Sequence, residues 1–197
     1  MSRLLVLLCT ITCAVVLSVA CSAPPQKEID QAQQAIDSAR AAGAEQYAPE
    51  SFAEATAALQ QSHEAVNQRD YRLALSRAVD ASDRAQEAAR AAADNKAKAR
   101  TQSEAAVNTI NTLVLHLQAR VKAAEEVRVP SRELVPARQT LRDAEAALQK
   151  ARTQLAAENY AGATRTVSQL DSEIRSETRV VDAAITLRTA RRPPKKR

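Results

Sequence analysis

The chain has 197 residues, of which 45% are hydrophobic, but it holds only one Phe, no Trp and two Gly. Alanine makes up about a fifth of it, and Gln, Glu and Arg fill much of the rest; these are strong helix formers that cannot build a thick core from large side chains. The formal charge of +5 does not describe the body: without Arg3 and the five cations among the last seven residues the body is close to neutral, which argues against a nucleic-acid-binding domain with a basic face.

The first 21 residues read as an export signal. Arg3 precedes an apolar run from Leu4 to Ala20 that includes Leu4, Leu5, Val6, Leu7, Leu8, Val15, Val16, Leu17 and Val19, the charged and apolar regions of a secretory signal. The run falls short of the ~20 apolar residues of a comfortable membrane span. It ends in Leu17-Ser18-Val19-Ala20-Cys21. That stretch resembles the lipobox of bacterial lipoproteins, with small or aliphatic residues before a cysteine; Leu17 stands one place earlier than the leucine the family prefers. The resemblance implies diacylglycerol on the Cys21 thiol, cleavage just before it and acylation of the new amine. Ser22, where an Asp would favour the inner membrane, implies the periplasmic face of the outer membrane. More than one acyl chain makes such an anchor stable, since a single chain binds only marginally. Cys9 and Cys13 fall in the apolar run and no cysteine follows Cys21, so the body has no disulfide framework and no thiolate metal site.

Residues 21–27, with Pro24-Pro25, read as a short extended tether. A first helix is expected from about Glu28 to Ala42, with Ile29, Ala32, Ile36 and Ala39 spaced 3, 4, 3 and Gly43 as its stop. A turn through Gln46, Tyr47 and Ala48 leads to a second helix with Pro49 in its first turn and a stripe of Phe52, Ala55, Leu59, Ser62 and Val66. After a corner at Asp70-Tyr71, a third segment carries Leu75, Ala78, Ser82, Ala85, Ala89 and Ala92, then Val107, Ile110, Val114, Leu117, Val121 and Ala124. No Gly or Pro interrupts it before Pro130, which ends it; a bend or break is expected at Asp94-Asn95-Lys96-Ala97-Lys98. A fourth helix starts near Ser131 and carries Leu134, Ala137, Leu141, Ala144, Leu148, Ala151 and Leu155. A corner at Glu158-Asn159-Tyr160 opens a fifth, with Tyr160, Ala163, Val167, Leu170, Ile174, Val181 and Ile185.

Spacings of 3 and 4 sustained over many turns belong to helices packed along a seam, and short corners make neighbours antiparallel. The expected fold is all-α: an elongated antiparallel helical bundle of coiled-coil-like hairpins with an internal duplication. Its regions are a signal peptide over 1–20, a tether over 21–27, a first hairpin region with the long helix over 28–128, a second hairpin over 131–190 and a basic tail over 191–197. The seams can pair within one chain or between chains, so an oligomer is compatible with them. The duplication is a shift of 89 residues, which sets Ala55, Ala57, Ala58, Leu59, Tyr71 and Ala74 on Ala144, Ala146, Ala147, Leu148, Tyr160 and Ala163, with Phe52 on Leu141 and Asp70 on Asn159.

Tyr47-Ala48-Pro49, then Ala55 and Leu59, then Asp70-Tyr71 with Ala74, resemble the small lipoproteins grouped as domain of unknown function 4398, over roughly Gln26 to Arg100. The resemblance implies a periplasmic helical domain and assigns no chemistry.

Nothing in the sequence assembles catalysis. His63 and His116 lie on different helices without a metal-ligand partner one turn away, so no metal is expected. Both glycines are isolated, so no phosphate loop exists. No nucleophile, base and orienter stand together, so neither an enzyme nor a cofactor is expected. The tail Arg191-Arg192-Pro193-Pro194-Lys195-Lys196-Arg197 offers a contact for anionic lipid head groups, lipopolysaccharide or peptidoglycan. The expected function is a noncatalytic, membrane-anchored envelope spacer or adaptor, held to lipid through Cys21 and contacting another envelope protein or the wall. The alternative is a module binding an anionic envelope ligand through the tail (Arg191, Arg192, Lys195, Lys196, Arg197) or a helix groove.

Overall fold

The computed structural model describes residues 23–190, and these form an all-α helical bundle without a strand. In chain order the helices are α1 (Gln26–Ala41), the single turn α2 (Ala44–Tyr47), α3 (Pro49–Asn67), α4 (Tyr71–Glu126), a 3-10 turn (Ser131–Leu134), α5 (Val135–Ala156), α6 (Tyr160–Ser168) and α7 (Leu170–Ala190). α4 is one helix of 56 residues. No break occurs at Asp94–Lys98, where a bend or break was expected: the stretch holds no Gly or Pro, and the helical backbone ladder continues through it. The contact structure changes there instead. The chain divides into two compact units between Lys96 and Ala97, inside α4. Turns in the sequence had pointed to a division at Pro130; packing divides the chain elsewhere.

The first unit is built from α1, α3 and the first part of α4. Its buried stripe on α1 is Ile29, Ala32, Ile36 and Ala39, as the spacing predicted. On α3 it is Phe52, Ala55, Ala58, Leu59, Ser62 and Ala65, with Val66 only half-buried. On α4 the buried positions are Ala74, Ala78, Ala81, Ala85, Ala88 and Ala92. The expected stripe had included Leu75, Ser82 and Ala89. Leu75 is exposed, and so is Val79 one turn on. Both faces of this alanine-rich helix are apolar enough to pack, and the face without large side chains wins because it lets the three backbones approach closely.

The second unit is built from the rest of α4, α5 and the α6–α7 pair. Val107, Ile110, Val114, Leu117, Val121 and Ala124 are buried on α4, as expected. They meet Leu134, Ala137, Leu141, Ala144, Leu148 and Ala151 before and along α5, and Ala163, Val167, Leu170, Ile174 and Val181 on α6 and α7. The expected fifth helix is interrupted at Gln169, between Ser168 and Leu170. Where the first unit has Ala78, Ala81, Ala85 and Ala92, the second has Val167, Leu170, Ile174 and Val181 in the same register. Each added methylene buries ~0.8 kcal/mol of transfer free energy, so the second unit has the stronger core on this helix.

The duplication extends to the backbone. α3 and α5 end in the same C-cap: the Asp70 N–H donates to Ala65 O at 2.9 Å and the Arg69 N–H to Val66 O at 2.9 Å, while Asn159 N–H donates to Gln154 O at 2.8 Å and Glu158 N–H to Leu155 O at 3.0 Å. This is the Schellman pattern, whose turning residue takes left-handed geometry. Arg69 has φ 59° and Glu158 φ 56°. The next residue then caps the following helix. Asp70 Oδ1 accepts from the Leu73 N–H at 3.0 Å, and Asn159 Oδ1 from the Gly162 N–H at 3.0 Å. Every bonded residue in the second corner is the first corner's partner shifted by 89 positions. Tyr160, which follows the second cap, is buried, whereas Tyr71 is only half-buried.

The first helix of each unit repeats as well, with a different shift. Ile29, Ala32, Ile36 and Ala39 match Val114, Leu117, Val121 and Ala124, all buried, at a shift of 85. Gly43, left-handed at φ 85°, matches Arg128 at φ 64°. Between the first and second helices the second unit therefore carries a four-residue insertion, and the 3-10 turn Ser131–Leu134 occupies it.

Candidate functional site

Cys21 and the tail residues Arg191, Arg192, Lys195, Lys196 and Arg197 lie outside the described residues. Among the described residues no helix is long and apolar enough to cross a membrane. His63 and His116 stand exposed on their helices, and no group of His, Cys, Asp or Glu in the described residues could hold a metal ion.

Polar chemistry inside the units is mostly structural. Ser62, fully buried, donates its hydroxyl to Ala74 O at 2.7 Å and ties α3 to α4. Ser103, 1% exposed, sits on α4 with its hydroxyl 2.7 Å from Ala99 O, 2.9 Å from Tyr160 O and 2.9 Å from the Thr164 hydroxyl. At the helix margins Arg84 bonds both Asp80 at 2.9 Å and Glu54 at 2.6 Å. Arg120 bonds Asp182 across α4 and α7, and Arg138 reaches Glu125 at 2.7 Å. Arg175 holds Asp171 at 2.8 Å, and that hydrogen bond keeps the Asp171 carboxyl below its ordinary value of 3.8. Exposed pairs of this kind contribute little to stability.

Two concave features stand out, both in the second unit. One is an open groove beside α4 and α7, with Leu113, His116, Arg175 and Arg179 on its walls and a volume of about 540 Å³. Its cationic character is reduced by the Asp171–Arg175 pair. The other is a cavity of about 410 Å³ at the inserted corner. Val129, Pro130, Ala184 and Leu187 form its apolar walls, and Arg132, Glu133 and Arg188 its polar ones.

The corresponding corner of the first unit is built differently. There the Asn95 Nδ2 donates to Tyr47 O at 2.8 Å and bridges the corner to the third helix. In the second unit Asn95 is matched by Ala184, which has no side-chain donor, and the four-residue insertion moves the corner. Sequence reasoning passed over Arg132, Glu133 and Arg188, because each reads as an ordinary surface charge. The signal lay in the change of repeat shift from 85 to 89 residues across this corner.

No family model matches the chain, and neither a curated protein nor a solved structure matches it.

Proposed function

We propose that the protein is a noncatalytic lipoprotein of the cell envelope, anchored through lipid on Cys21, whose helical body serves as a spacer or adaptor. The observation that carries this reading is the stretch Leu17-Ser18-Val19-Ala20-Cys21 after an apolar run. The Cys21 thiol is the nucleophile that takes the diacylglycerol, and Ser22 directs the mature protein to the outer membrane, facing the periplasm. The resemblance of Gln26 to Arg100 to domain of unknown function 4398 agrees with that location. The body supports an adaptor role through its construction: two helical units repeat one plan, and their outer faces are lined with charged and amide side chains. Its partner is another envelope protein or the wall, and the tail from Arg191 to Arg197 supplies a second, electrostatic contact with anionic lipid, lipopolysaccharide or peptidoglycan.

The test is metabolic labelling with radioactive palmitate in a Gram-negative host, followed by membrane fractionation. The wild-type chain should take up label and sediment with the outer membrane, and Cys21→Ser should do neither. Equal labelling of the two would remove the basis of the anchor. Crosslinking in cells with the acylated protein then identifies the partner.

A further inference from the structure

We infer that the corner cavity of the second unit is a binding site for a phosphate ester of a small polyol or amino alcohol. Three observations converge on it. The first is the difference between the two copies of the repeat. The first unit bridges this corner with the Asn95–Tyr47 hydrogen bond, while the second has Ala184 at the matching position, a four-residue insertion, and a cavity of about 410 Å³. That volume is within the range of small-molecule sites.

The second observation is the charge on the walls. Arg132 and Arg188 come from separate elements, the 3-10 turn and the end of α7, and both line the one cavity. Most arginines that cross between helices in this unit are satisfied, as with Arg120 and Asp182 or Arg138 and Glu125. Neither Arg132 nor Arg188 has a side-chain partner among the described residues. Two guanidinium groups present forked donors that match the oxygens of a phosphate.

The third observation is Glu133, on the same wall and likewise without a side-chain partner among the described residues. A carboxylate beside two cations repels a bare anion. It suits a ligand that carries a hydroxyl or ammonium donor a few bonds from its phosphate. Leu187, 61% exposed, offers such a ligand an apolar edge. The ligand is thus a phosphate with an adjacent donor, whether free in solution or in the head group of a lipid. The proposal uses neither Cys21 nor the tail residues, and it stands or falls independently of the anchor.

The experiment uses residues 21–197 with Cys21→Ser, which keep both compact units, labelled with ¹⁵N and titrated with glycerol phosphate. Saturable amide shifts are expected at residues 129–133 and 184–188. Arg132→Ala with Arg188→Ala should weaken binding tenfold or more, and both side chains are exposed, so the helical circular dichroism should not change. Removing residues 191–197 should leave the affinity unchanged. No saturable shifts, shifts confined to the tail, or an unchanged affinity in the double variant would each overturn the proposal. A second arm compares vesicles of phosphatidylglycerol with vesicles of phosphatidylcholine. Capture by the former that the double variant loses assigns the phosphate to a lipid head group; binding of glycerol phosphate without capture assigns it to a soluble ligand.

Discussion

Removing the hydroxyl of Ser103 should destabilise the second unit far beyond what one oxygen atom would suggest. The hydroxyl is buried to 1% exposure and faces three oxygens at 2.7 Å, 2.9 Å and 2.9 Å. It has one proton to give among the carbonyls of Ala99 and Tyr160 and the Thr164 hydroxyl, and in the contact with Thr164 either hydroxyl can be the donor. Ser103→Ala removes that network and leaves the Thr164 hydroxyl without its partner. An unsatisfied buried donor costs ~1–3 kcal/mol. Amide hydrogen exchange reports on each unit separately, and ~1–3 kcal/mol corresponds to exchange roughly 5- to 150-fold faster through global opening. The acceleration should appear in α5, α6 and the later part of α4, and not in α1 and α3, which belong to the other core. Adding Thr164→Val removes the second polar partner as well, so the double variant should recover about 1 kcal/mol relative to Ser103→Ala alone. If Ser103→Ala exchanges like the parent, or if the two substitutions simply add, the hydroxyl is not the joint described here.

Three further outcomes are expected. Gly43 and Arg69 turn left-handed at φ 85° and φ 59°. Gly43→Ala should lower stability by ~1–2 kcal/mol, since a Cβ is disfavoured there, and it would meet the Tyr47 ring at 3.3 Å. Arg69→Gly should instead raise stability by about 0.5 kcal/mol, because relief of left-handed strain exceeds the added freedom of the unfolded chain; urea midpoints measure both, and a change of the same sign in the two variants would contradict the corner geometry. The Asp171 carboxyl lies below its ordinary value of 3.8 because Arg175 hydrogen-bonds it. A depressed carboxylate contributes stability that is full above its unfolded value and is lost as pH falls through its folded one. Asp171→Asn should therefore narrow the gap between stability at pH 7 and at pH 2, a small effect because the pair is exposed; an unchanged pH profile would show that the pair contributes nothing.

The sequence alone determined the helical class, because alanine, Gln, Glu and Arg fill the chain and no Gly or Pro falls in the middle of a long helical stripe. It also determined most of the buried stripes. The stripe from Val107 to Ala124 was legible because Val107, Ile110, Val114, Leu117 and Val121 put large aliphatic side chains at a sustained 3–4 spacing, even though Leu115 on another face is exposed. The stripe of the first part of α4 was not. With alanine on several faces, the sequence contains no size contrast to choose between Ala74, Ala78, Ala81 and the neighbouring register through Leu75, and only close packing of three helices decides it. The left-handed residues Arg69, Arg128 and Glu158 were hidden for a similar reason. A glycine announces such a turn, as Gly43 does, whereas these three are imposed by the bonds that close each helix end. The repeat was visible in one hairpin through its Asp-Tyr and Asn-Tyr corners. Its extension to the first helix of each unit, and with it the inserted corner holding Arg132, Glu133 and Arg188, needed the tertiary structure. Matching helices at two different shifts requires knowing which face of each is buried, and burial is a property of the packed helices together and not of any one of them.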